Sequence, residues 1–398
     1  MKKRKFLVII FIIFTIFSNV ICYGNENNNT ESNNQNENLD INDVNEKVKE
    51  NANFDEYIKA IDDELKKNNI DDIDIYDMSN SLLEDGSIDF NNLFFKILGL
   101  FSKEFKNVIN SAVIIFIIVL VMSVLSSFEL EKGSQILNIA NLVCFFTLAT
   151  IIIKSFIEII GVFKNTITSL TTLMQIVSPF LMAILISTGA ISTTGIIKPL
   201  VLFIASAVGF IINYIVVPFI SISAALKIIN NFSDNIKIGK MSSLFSSSAL
   251  WIVSISFTIF LGILSLETTI SSSVDSLAVK TMQNAVSNFV PVVGKFFSDS
   301  FETVVGATKV ISNVSGVIGI ITIVTIAIIP VLKILCVYLL YQILSAIIEP
   351  ICNNKTLSNF ISDFAGLYKL LLGILIGVSI LFVISSGIIL NLVSSVVK

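Results

Sequence analysis

Apolar runs of about twenty residues, separated by short polar breaks, fill the chain from residue 108 to its end. Each run is near the roughly 20 residues that an α-helix needs to cross a bilayer. Seven are predicted, near 108–128, 136–162, 170–190, 199–225, 244–267, 315–348 and 366–393. The sixth is too long for one straight crossing. Pro330, followed by Lys333, is placed to kink or divide it, because proline removes a backbone donor and clashes with the preceding turn. The third carries Pro179 at its middle and is followed by Gly189 to Gly195, so a re-entrant hairpin competes with a full crossing there.

Ahead of these runs the pattern changes twice. Residues 1–24 have a basic start, an apolar core from Phe6 to Ile21 and the sequence Cys22-Tyr23-Gly24, the form of a signal peptide, with a retained anchor as the alternative. Bulky Ile21 argues against lipid attachment at Cys22. Residues 25–53 are Asn-rich and acidic, with too few apolar side chains to offset ordering entropy, and are expected to be disordered. Residues 54–107 are expected to be extracytoplasmic and helical. Phe54, Tyr57, Ile58, Ile61 and Leu65 recur at spacings of three and four, which predicts an amphipathic helix with an acidic outer face. Residues 93–109 set phenylalanines and leucines against Lys96, Lys103, Glu104 and Lys106, the pattern of an interfacial helix leading into the membrane domain of residues 108–398.

One stretch inside that domain, the amphipathic segment 280–314 and its continuation, breaks the apolar rule. At 100° per residue Lys295, Asp299, Glu302, Gly306, Lys309, Asn313 and Gly316 fall on one stripe, while Phe297, Phe301, Val304, Val305, Thr308 and Ile311 fall opposite. Three readings compete: a helix lying flat at the membrane surface, a wall of a polar passage, or a face for a partner subunit. Pro291 precedes the stripe and, with Pro179 and Pro330, is a candidate break or hinge.

Composition removes other classes. With 54% hydrophobic and 14% charged residues and a mean hydropathy of +0.85, this is not a soluble globule, whose charged share is about 25%. The fold class expected is all-α: a polytopic helical membrane protein with a small acidic, partly disordered extracytoplasmic N-terminal region. The formal net charge of −4 hides a division into +4 over residues 1–24, −14 over 25–92 and +6 over 93–398. There is no histidine, which removes imidazole metal sites and Ser-His or Cys-His nucleophile pairs. Cys144 and Cys336 sit in apolar runs and, with Cys22 and Cys352, show no metal or disulfide spacing. No glycine-rich phosphate loop, metal-ligand spacing or paired intramembrane aspartates occur, so neither an enzyme nor a cofactor is expected. Basic residues do not cluster with aromatics, so no nucleic-acid partner is expected either.

Charges within the runs are few. Lys154 and Glu158 are four apart and share a helical face; Glu267, Lys333 and Glu349 lie near run ends, where long side chains reach the interface. Gly373 and Gly377 form a small-xxx-small pair, and Ser242 to Ser248, Ser254 and Ser256 line the fifth run, both permitting close helix contact. Loop lysines range only from one to three and do not fix orientation. Placing the loop with Lys227, Lys237 and Lys240 in the cytoplasm requires the third segment to be re-entrant.

The order of parts, together with Pro291-Val-Val-Gly-Lys295 and Asn313-Val-Ser-Gly316-Val-Ile-Gly319, resembles the stage III sporulation protein AE family. The most specific portion runs from about Lys280 to Gly319, with Pro291, Gly294, Gly306, Asn313, Gly316 and Gly319. The resemblance implies a membrane component of a multiprotein channel joining mother cell and forespore, needed for forespore development after engulfment. It implies as partners the lipid bilayer, the other proteins of the same sporulation operon and, through the complex, a forespore membrane protein. It implies residence in the mother-cell membrane around the forespore, as a multi-pass protein whose N-terminal region is extracytoplasmic. The alternative from the residues alone is a permease-like secondary transporter of a small solute, framed by broken third and sixth segments.

Overall fold

The computed structural model describes residues 53–71, 73–84, 90–129, 135–187, 191–232, 237–263, 293–351 and 355–396. The segment 1–24 expected to be a signal peptide, nearly all of the tract at 25–53, and Pro291 lie outside them. Apart from short connections at 53, 68–71, 73–74 and 237–238, the described residues are helical: α1 (Phe54–Lys67), α2 (Ile75–Glu84), α3 (Phe90–Glu129), α4 (Gln135–Ser187), α5 (Ile191–Ile211), a π turn (Ile212–Val216), α6 (Val217–Phe232), α7 (Gly239–Ile263), α8 (Val293–Ile351) and α9 (Lys355–Val396). The chain is an all-α, multi-pass membrane protein.

Among the described residues five helical stretches are long and apolar enough to cross a bilayer: Leu142–Ile186, Pro199–Asn231, Gly239–Ile263, Val310–Pro350 and Leu357–Asn391. The runs expected at 136–162 and 170–190 are parts of one helix, α4, of 53 residues. Its polar middle does not turn because its threonines are satisfied within it. Thr166, Thr168, Thr171 and Thr172 each donate to the carbonyl four residues back at 2.8–3.0 Å, so nothing draws the backbone out of the helix. Helix α4 continues through Pro179 to Ser187, and α8 through Pro330 to Ile351. Between Gln135 and Ser187 the chain does not fold back. Likewise α3 crosses the expected boundary at residue 107 without a break.

Helices α8 and α9 form a long antiparallel hairpin. Near the turn Ser345 and Ser358 exchange hydroxyl-to-carbonyl hydrogen bonds of 3.0 Å, and far from it Leu390 reaches Gly316. Helix α4 runs parallel to α9, with Phe145 on Phe360 and Phe156 on Phe364 at ring separations of 5.5 and 5.4 Å. Ser386 donates to the Met174 sulfur at the other end. Phe163, Phe360, Phe364, Tyr368 and Phe382 fill the space between the rods and are fully buried. Helices α5 and α6 return antiparallel along α4, and α7 packs on α6 through Ser223, whose hydroxyl lies 2.9 Å from that of Ser242 and 2.6 Å from that of Ser246. Of the serines expected to allow close contact, Ser242 and Ser246 do so, whereas Ser243, Ser254 and Ser256 bond back to carbonyls of their own helix. Gly377 also serves this purpose, since a Cβ there would lie 2.6 Å from Phe257, whereas Gly373 faces open space.

Candidate functional site

Helix α1 is the first part of a site that the sequence did not foretell. Its apolar stripe is as expected: Phe54, Tyr57, Ile58, Ile61 and Leu65 are all buried. Its end is fixed by left-handed Asn69 (φ 58°), with Ile70 N–H bonded to the Leu65 carbonyl and Asn69 N–H to that of Lys66. Asparagine tolerates that conformation better than other residues with a Cβ, and buried Ile70 and Leu65 complete the motif. Asp74 then caps α2 by accepting from the Tyr76 and Asp77 N–H groups at 2.9 and 3.2 Å.

The stripe of α1 lies on the membrane rods themselves. Phe54 sits 6.2 Å from Phe180 at one end, and Asn68 donates to the Ser169 hydroxyl at 3.0 Å at the other, so α1 runs antiparallel along α4. Tyr57 stacks on Phe180 with centroids 4.0 Å apart and planes 11° apart. Its hydroxyl passes beside Gly319 of α8, where a Cβ would stand 3.1 Å from that oxygen and 3.0 Å from Val177. Glycine leaves the gap through which the phenol reaches the α8 backbone. Burial holds the Tyr57 phenol well above its ordinary pKa, as a neutral donor.

The expected stripe of α8 divides. Lys295, Asp299, Glu302, Gly306, Lys309, Asn313 and Gly316 all lie on the one helix. Of these, the surroundings of Asn313 and Gly316 are described: Asn313 is exposed and Gly316 is buried against Leu390. Gly316 is therefore a contact residue between α8 and α9 rather than part of an open polar surface.

Charged groups on neighbouring helices pair with one another. Glu158 is bridged to Lys333 of α8 at 3.2 Å, not to Lys154 one turn away. Lys227 of α6 donates to Asp363 of α9 at 2.6 Å, and Asn231 reaches the second carboxylate oxygen at 2.8 Å. Sequence inspection missed this triad because Asp363 lies more than 130 residues from the other two members. Helical spacing could have placed Lys227 and Asn231 on one face, but nothing local names Asp363 as their partner. Free Cys336 is buried and free Cys144 half-buried, while Cys22 and Cys352 lie outside the described residues.

The arrangement presents rods, an outer helix clasped to them and cross-helix charge pairs. The family model for Stage III sporulation protein AE matches residues 73–392. The "Stage III sporulation protein AE" of Bacillus subtilis (strain 168) is 25% identical over 220 residues, a match that covers 55% of this chain and 55% of that protein. The chain thus matches about half the length of that relative. No solved structure matches.

Proposed function

We propose, from the premise that the chain belongs to the stage III sporulation protein AE family, that it is a non-enzymatic subunit of a multiprotein channel linking mother cell and forespore. Membership makes it a sporulation-related multi-pass membrane protein. The finer reading rests on one observation, the length of its rods. Helices α4 and α8, of 53 and 59 residues, extend roughly 80 and 90 Å at 1.5 Å per residue, against a bilayer core of about 30 Å. Such rods carry helical surface well beyond one membrane, which a subunit needs in order to meet partners outside it. A solute carrier centred on the bilayer midplane has no such need.

In this reading the protein sits in the mother-cell membrane around the forespore, with α1 and α2 on the extracytoplasmic side. The charged stripe from Lys295 to Asn313 supplies surface for assembly or passage. The other proteins of the sporulation operon and, through them, a forespore membrane protein are its partners. A strain deleted for this protein should stop after engulfment and lose late forespore gene expression; normal spore yield from that strain would end the proposal. Purified protein that moves a solute in liposomes without partners would favour the carrier instead.

A further inference from the structure

Two helices on different sides of the bundle each carry one charge-free apolar band of bilayer thickness. On α3 it runs from Val108 to Phe128, between Lys106 and Glu129, and turns Val113, Ile117, Val121 and Val124 outward. On α7 it runs from Met241 to Ile263, beyond Lys240, and turns Leu244, Trp251, Ile255 and Ile259 outward. At 1.5 Å per residue the bands are about 32 and 35 Å long, and a hydrocarbon core is about 30 Å thick.

The bands stand at different heights along the rods. Helices α3 and α4 touch and are joined by a short connection, so Lys106, 23 residues from Glu129, is level with about residue 158 of α4, 23 residues from Gln135. The α3 band therefore covers the height of about residues 136–157 of α4. Phe257 of α7 lies against Gly377 of α9, between Phe364, which meets Phe156, and Ser386, which meets Met174. Phe257 is thus level with about residue 165 of α4, and the α7 band covers about residues 149–171. Gly239, beside Asn230 and close to the Lys227–Asp363 pair, gives the same lower limit. The stagger is roughly 20 Å.

No bilayer set square to the rods fits both bands. One matched to α3 leaves exposed Ile255 and Ile259 in water and puts exposed Lys240 in hydrocarbon. One matched to α7 puts exposed Lys106 and Glu158 at mid-depth and leaves Val121 and Val124 outside. An inclined bilayer fits. From α3 through α8 and α9 to α7 there are three helix contacts, each spanning about 8–10 Å, so the stagger corresponds to a tilt of roughly 35°, inside the range that membrane helices adopt.

Helix α1 bears on the same geometry. It flanks the α4–α8 pair, as α3 does, and lies along α4 from Ser169 to Phe180, about 16 Å past the end of the α3 band. Its exposed Asp55, Glu56, Lys59, Asp63, Lys66 and Lys67 require water there, at a height where α7 on the other side is still apolar. Exposed Lys164, Asn165, Thr168 and Gln175 of α4 lie along and above a boundary slanting between the two sides, and Glu158 beneath it is paired with Lys333. Exposed Lys154 and Lys369, about 10 Å below that boundary, make the longest reach it asks of a lysine.

We propose that the bundle crosses the bilayer obliquely, its rods leaning by roughly 35° toward the α7 side, so that its lipid-facing surface is a slanting belt from the α3 band to the α7 band. Helix α3 is then a crossing in addition to the five long apolar stretches, and α1 rides on the upper, water-facing side of the leaning rods. The placement rests on the two bands and on α1, and does not require the sporulation role.

The test uses the full chain with its four cysteines replaced, purified and reconstituted in vesicles of phosphatidylethanolamine and phosphatidylglycerol. Single nitroxides are attached at Lys106→Cys, Ile117→Cys, Met241→Cys and Trp251→Cys, and the ratio of collisions with oxygen and with a water-soluble nickel chelate gives the depth of each. Lys106 and Trp251 stand at nearly one height along the rods, as do Ile117 and Met241. In each pair one label should lie deeper by about 10 Å: Trp251→Cys below Lys106→Cys, and Ile117→Cys below Met241→Cys. Equal depths within the pairs would mean upright rods and overturn the proposal; so would a water-exposed label at Trp251→Cys or at Ile117→Cys, which would take one band out of lipid. Infrared dichroism of the unsubstituted chain in oriented bilayers guards against a misfolded variant. It should give a mean helix inclination of roughly 35°, and a value below about 20° would overturn the tilt.

Discussion

The Tyr57 phenol donates a 2.7 Å hydrogen bond to the main-chain oxygen of Ser315, 258 residues further along the chain. In an α-helix that oxygen already accepts from residue 319, which is the glycine beside the phenol. Tyr57 thus shares a bonded carbonyl and leaves no orphan when removed. Tyr57→Phe should loosen α1 by about 1 kcal/mol, the worth of one net hydrogen bond. Tyr57→Ala, which also empties the stack on Phe180, should cost about 3–5 kcal/mol. Hydrogen exchange of the α1 amides reads both.

The same contact has a pH signature. Docked Tyr57 holds its proton more strongly than a free tyrosine, whose pKa is about 10. Its contribution is complete below that value and is lost as pH rises above it, because only the undocked form then ionises readily. Protection of α1 should fall above about pH 10 in the wild-type protein, and Tyr57→Phe should remove that component of the fall.

Gly316→Ala should destabilise the α8–α9 hairpin. The new Cβ would clash with Leu390 Cδ2, so the leucine must leave its place, at about 1–3 kcal/mol for overpacking. Combining it with Leu390→Ala should cost less than the two single changes added together. Thermal unfolding in detergent of the four proteins in that cycle supplies the comparison.

Lys227 and Asp363 should be coupled. Their side chains are 16% and 31% exposed, which is burial enough to strengthen the pair and exposure enough to limit it, so a coupling of about 1 kcal/mol is expected. Asp363→Asn should retain part of it, because Asn231 can still bond the amide oxygen. A double-mutant cycle of Lys227→Gln and Asp363→Asn gives the value; no coupling would mean that the triad is incidental to the α6–α9 contact.

Ser223→Val should separate α6 from α7. It removes bonds to the Ser242 carbonyl and to two serine hydroxyls from a buried position, and adds a branched side chain at the α6–α7 contact. Hydrogen bonds between membrane helices average about 0.6 kcal/mol each, so a loss of about 1–2 kcal/mol is expected before any steric contribution. Ser223→Ala should show only the smaller part.

Periodicity made the elements legible where it was strict. The five apolar positions predicted for α1 are all buried, with Glu64 beside them, and the apolar runs locate every long helix among the described residues. What the pattern could not give was continuity. Lys164 to Thr172 looks like an interruption by composition, yet back-bonded threonines carry the helix through it, so two expected segments are one rod. Pro179 and Pro330 do not end their helices, which run on to Ser187 and Ile351, since packing along a rod of this length offsets what proline costs locally. Gly316 fell on the charged stripe by angle but belongs to the α8–α9 contact, because an absent side chain has no polarity to read. The partners of Tyr57, Glu158 and Lys227 lie on distant helices, and a single sequence carries no record of them.

The clasp of α1 across α4 and α8 also orders the chain in time. Tyr57 leaves the ribosome long before Ser315 exists, so its binding groove is incomplete until most of the protein has been made and α8 has joined α4. Closing a contact over 258 residues is slow relative to forming either helix pair. The N-terminal helix must therefore wait, undocked and on the correct side of the membrane, and its seating marks the completion of the rod bundle beneath it.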